Sequence, residues 1–250
     1  MVTDLLKKLK VWIVSILRTA EYDPADNYYY IVILSAPVLL TVYRYFSEAQ
    51  NFLSYFPGLK SEIHGEVYAY MLEYLSFFLL FLVVPTVILT SYKKADTLKT
   101  LFSLKCRGKY LAFAFLAILL IIIPSAIHAS SLPSVLAEYP LPGALMHDQQ
   151  MLPVYFLGLF FLYYLPWEFF FRGFLLFGLK DRYGATAAIL IQTISSCLVH
   201  IGKPAPEIIG AIPFGIAFGI IALRTKNIWI VVLLHASLGI FTDIFIIYQG

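Results

Sequence analysis

A chain of 250 residues that is 60% apolar and 13% charged, with a mean hydropathy of +0.81, lies outside the soluble range of about 45–50% apolar and 25% charged. A water-soluble core cannot absorb that much apolar surface, and the composition predicts an all-α, polytopic membrane protein, because lipid leaves a spanning segment no partner for its backbone except itself. The net charge is +3, with Lys and Arg in short clusters between apolar runs, a pattern of topology signals that argues against a nucleic-acid partner.

The first stretch, Met1 to Arg18, sets Leu5, Leu6, Leu9, Trp12, Ile13 and Leu17 at helical spacing opposite Lys7, Lys8 and Lys10. No small-residue cleavage site precedes Glu21-Tyr22-Asp23, so it reads as an amphipathic helix over residues 1–20 lying in the headgroup plane, or as a first core helix. Seven apolar segments follow that approach spanning length: Tyr28–Tyr45, Val67–Thr90, Tyr110–Ala129, Leu152–Phe177, Ala185–His200, Glu207–Leu223 and Ile228–Tyr248. Pro37, Pro85, Pro124, Pro166 and Pro213 lie within or beside them and read as kinks. No repeat divides the chain, which reads as a single integral membrane domain over residues 1–250.

Basic loops alternate with loops poor in Lys and Arg, which predicts a cytoplasmic N-terminus in a plasma (inner) membrane, with Arg44 and Lys203 against the pattern. Cys106 lies in a basic loop and Cys197 in an apolar segment, which gives a disulfide framework no support.

Ionisable groups inside spans cost about 2.5–3.5 kcal/mol each at mid-helix, so they should be paired or functional. They are Glu73, Glu168, Arg172, His200, Glu207, His235 and Asp243. Glu168 and Arg172, four apart in Trp167-Glu168-Phe169-Phe170-Phe171-Arg172-Gly173, share a helix face within ion-pair reach. Glu207 follows His200 across a Gly-Pro turn and either supplies a second carboxylate or sits at a helix N-terminus for the sake of its dipole. Asp243 lies two turns beyond His235, toward the same side of the last helix.

Glu-x-x-x-Arg-Gly on one apolar helix, His200 ending the next and His235 on a third resemble the CAAX protease and bacteriocin-processing superfamily over residues 152 to 246. That family carries Glu-Glu-x-x-x-Arg, then Phe-x-x-x-His, then His-x-x-x-Asn or Asp. Glu168 and Arg172 match the second Glu and the Arg; His200 in Ser196-Cys197-Leu198-Val199-His200 and His235 in Leu234-His235-Ala236-Ser237 match the other motifs. Trp167 stands in place of the first Glu, Ser196 in place of the aromatic and Gly239 in place of the amide or acid.

The resemblance implies an intramembrane endopeptidase, with the motif-bearing core over residues 152–248 and a membrane-associated peptide or protein as substrate. Glu168, fixed by Arg172, would be the base; His200 would share the water and His235 would donate to the oxyanion. The expectation is a metal-free site, the alternative a Zn²⁺ held by Glu168, His200 and His235. Loss of the first Glu opens a second reading, a proteolytically inactive relative that binds a peptide or partner protein; a proton path through Glu73, Glu168, Arg172 and Asp243 is a third. Counted from the basic loops at about 1.5 Å per residue, His235 lies about 12 Å deep, Glu168 about 18 Å and His200 about 27 Å, so tilt or a break at Pro166 must bring them together.

Overall fold

The computed structural model describes residues 2–103 and 108–249; Cys106 lies outside them. Its helices of seven residues or more are α1 (Val2–Thr19), α2 (Asn27–Phe46), α3 (Ala49–Tyr55), α4 (Gly65–Ser91), α5 (Ala95–Leu101), α6 (Gly108–Ser130), α7 (Leu152–Tyr183), α8 (Ala185–Val199), α9 (Ala205–Thr225) and α10 (Trp229–Gln249). Among the described residues six helices, α2, α4, α6, α7, α9 and α10, are long and apolar enough to cross a membrane. The seventh expected span, α8, has 15 residues. At about 1.5 Å per residue that is about 22 Å, short of the hydrocarbon thickness of about 30 Å.

The apolar-polar arrangement is the one lipid demands. Leu34, Val38, Leu120 and Ile194 lie exposed on the outer faces, whereas Glu73, Glu168, Arg172 and Asp243 are buried inside. Helix α7 is the most buried span and α6 the least. Phe169, Phe170, Phe171, Phe174 and Leu175 of α7 are fully enclosed, which gives the Phe-rich motif its first role as the packing centre of the bundle. Helix α1 stays out of this core: Leu5, Leu6, Leu9, Trp12 and Ile13 are all exposed, which sets aside the reading of a first core helix.

Proline shapes three of the spans in one way. A π-helical stretch ends two residues before Pro85 (Leu79–Val83), before Pro124 (Ile118–Ile122) and before Pro166 (Leu159–Tyr164). Proline has no N–H, and its ring crowds the carbonyl one turn back; a wider turn relieves that clash without breaking the helix. Pro37 and Pro213 sit in regular α-helix.

The basic loops gather at one end, where Arg182 pairs with Asp26 at 2.9 Å and Tyr110 donates to the Arg224 carbonyl at 3.2 Å. At the other end, the segment between α6 and α7 is tied down by Lys203 to Glu138 (2.7 Å), by Tyr139 to Glu207 (2.8 Å) and by the Ala144 N–H to Glu66 (2.9 Å). Arg44 and Lys203, the two cations against the charge pattern, each have a carboxylate partner, Glu48 and Glu138.

Candidate active site

Glu168 sits between the two π-helical stretches of α7, Leu159–Tyr164 and Phe169–Leu175. The distortion expected at Pro166 therefore takes this form, and π turns of this kind gather at functional sites. The Glu168 Oε1 accepts from Arg172 Nη1 at 3.1 Å and from His235 Nδ1 at 2.6 Å. The depth gap between Glu168 and His235 is thus closed by direct contact. Arg172, 3% exposed, also lies 5.6 Å from the Phe218 ring, so its charge is met by one carboxylate and an aromatic face.

Because the carboxylate takes the proton on Nδ1, a neutral His235 carries its lone pair on Nε2. His235 lines a cavity of about 480 Å³ walled by α6, α7, α8, α9, α10 and the segment between α6 and α7. Glu168 does not line it: the side chain is fully buried, and Oε2 has no hydrogen-bond partner among the described residues. The expectation made Glu168 the base; in this structure its Oε1 is held by Arg172 and His235 and the side chain does not line the cavity, a geometry that suits positioning its two partners.

His200 follows the last residue of α8 and reaches the same cavity. Its Nδ1–H donates to the Ser196 carbonyl at 2.8 Å, which leaves the lone pair on Nε2. Ser196, in the place of the family's aromatic, contributes here through its backbone. Burial pushes the His200 imidazole down to about 4, so it is neutral at physiological pH. Its Nε2 lies 3.8 Å from Glu207 Oε1, a contact between two acceptors and not an ion pair.

Glu207 lies in the first turn of α9, as a carboxylate at a helix N-terminus would, and it also faces the cavity. Its Oε2 accepts from Tyr139 at 2.8 Å. Burial, and then the Glu207 charge, hold the Tyr139 hydroxyl well above its ordinary range, so it remains a donor. Asp243 also lines the cavity, with Oδ2 accepting from Tyr155 at 2.7 Å. Glu73 lies apart, capping α3 through the Ala49 N–H at 2.8 Å and accepting from Tyr43.

Trp167, at the first-Glu position, is 2% exposed and lies between the two imidazoles, its ring 5.3 Å from His200 and 5.8 Å from His235, nearly perpendicular to both. Gly239 has an equally definite neighbour. A Cβ there would overlap the Tyr164 hydroxyl and lie 2.7 Å from its Cζ. Gly239→Ala is accordingly expected to destabilise by about 1–3 kcal/mol, the usual range for overpacking, with Tyr164→Ala in the same chain relieving the clash. Thermal unfolding of the three variants in detergent checks this.

Among the described residues no three of His, Cys, Asp and Glu are grouped as metal ligands. The zinc alternative would need Glu168, His200 and His235 around one ion, and these three are not so grouped.

Two of the imidazoles on this cavity, His200 and His235, are each backed by an acceptor of their own. Residues 149–241 match the model of a family described as Type II CAAX prenyl endopeptidase Rce1-like, the stretch that carries Glu168, Arg172, His200 and His235. Neither a curated protein nor a solved structure gives a significant match.

Proposed function

We propose that the chain is an intramembrane endopeptidase that hydrolyses a peptide bond in a membrane-associated peptide or protein, with water activated by Glu207 and His200 and without a metal. The observation that carries this reading is the facing pair of acceptors, His200 Nε2 and Glu207 Oε1, 3.8 Å apart on the wall of a cavity shared with His235. A water donating one hydrogen to each would have its oxygen aimed into the cavity.

Its oxygen attacks the peptide carbonyl carbon as Glu207 takes the proton, and the carbonyl π pair moves to oxygen. Collapse of that oxyanion breaks the C–N bond, and Glu207 returns its proton to the leaving nitrogen. Arg172 and Glu168 hold His235 beside the reacting carbonyl. His235, fixed through Nδ1 by the Glu168 carboxylate, presents its Nε2 to the substrate. The charge pattern of the loops supports a cytoplasmic N-terminus, and the membrane in this reading is the plasma membrane.

Cleavage of a peptide library by the purified chain in liposomes tests the reading. The expected result is cleavage that a chelator leaves unchanged and that His235→Ala lowers on the order of 10²-fold or more, as loss of one transition-state contact does. Trp167, filling the space between the imidazoles, favours one rival, a non-catalytic relative that holds a peptide in this cavity. Binding of library peptides with no cleavage would select the rival.

A further inference from the structure

We propose that Tyr164 is a catalytic residue, its phenol O–H donating the hydrogen bond that stabilises the oxyanion. The inference rests on the endopeptidase reading and adds a residue to it. Tyr164 precedes Glu168 by four residues on α7 and packs its ring 4.8 Å from that of His235. It lines the cavity, and its hydroxyl makes no hydrogen bond to any described residue.

The hydroxyl occupies the space that a side chain at position 239, one helical turn beyond His235, would need. Gly239 therefore opens a place on α10 that α7 fills with a donor. The need for such a donor follows from His235. Its Nδ1 proton is committed to Glu168 at 2.6 Å, so a neutral His235 presents only an acceptor to the cavity. A phenol, with an ordinary pKa of about 10, keeps its proton at neutral pH and donates whatever the state of the imidazole. When the carbonyl oxygen takes up the electron pair, Tyr164 O–H shortens its bond to it; no proton is transferred.

Tyr164→Phe removes one oxygen and keeps the ring. In the assay above kcat is expected to fall by about 10²–10³-fold with KM within about twofold, as for loss of one oxyanion donor. Affinity for a peptidyl aldehyde hydrate, which mimics the tetrahedral intermediate, should fall by a similar factor, with thermal unfolding unchanged. Wild-type kcat in Tyr164→Phe overturns the assignment while the endopeptidase reading stands, whereas absence of cleavage by the wild type removes both. Should Tyr164→Phe fail to fold, difluorotyrosine at position 164 keeps the shape and acidifies the phenol. Activity should then be lost at lower pH than in the wild type, and an unshifted alkaline limb overturns the proposal.

Discussion

Arg172→Leu is expected to destabilise the protein by about 3–5 kcal/mol, the usual cost of leaving one member of a buried ion pair without the other. Glu168 is fully enclosed and Arg172 nearly so, with the guanidinium 3.1 Å from the carboxylate. The decisive comparison is with Glu168→Gln/Arg172→Leu, which removes both charges. Replacing a whole buried pair by neutral groups is often close to neutral for stability, so the double variant should recover most of the loss in a thermal unfolding experiment. Equal melting temperatures for the single and double variants would show the two charges to be uncoupled. Catalysis is expected to fall in both, because the carboxylate beside His235 loses the guanidinium that holds it in the one and is replaced by an amide in the other.

The second large effect is expected at Glu207. Glu207→Gln preserves the shape and the hydrogen bond from Tyr139 but removes the base, and kcat should fall by about 10²–10⁴-fold with unchanged thermal stability. Tyr139→Phe should give a smaller loss, since the carboxylate remains but loses the bond that aims it. Glu168→Gln shows a different signature, lower activity together with an altered response to Arg172 substitution. If Glu207→Gln cleaves at the wild-type rate, the water must be activated elsewhere on the cavity wall.

The fold was largely legible because lipid permits so few solutions. Runs of apolar residues give the spans, and buried charges four apart give the Glu168–Arg172 pair. The contact between Glu168 and His235 was legible only as a family pattern, since straight-helix counting sets them at different depths. Helix α8 was read one residue too long and as a full span because its composition is that of one; only its 15 residues tell otherwise. The placing of Glu168 behind the cavity wall was not legible, because helical periodicity gives a face but not what packs in front of it.

Tyr164 had a faint signal in its spacing of four from Glu168, yet tyrosine among so many aromatics points nowhere until Gly239 is seen beside it. Tyr139 had none. It lies 68 residues from Glu207, in a segment without regular pattern, and only tertiary structure joins them.

The pairing of Glu168 with Arg172 within a single helix bears on how the bundle is made. Each charge alone would oppose transfer of its segment from the insertion machinery into lipid by about 2.5–3.5 kcal/mol at mid-helix. Set four residues apart, they neutralise each other as soon as the turn between them forms, before any neighbouring helix has arrived. Helix α7 can thus enter the bilayer as an electrically balanced unit and wait there for α10, whose His235 then docks onto a carboxylate already held in place.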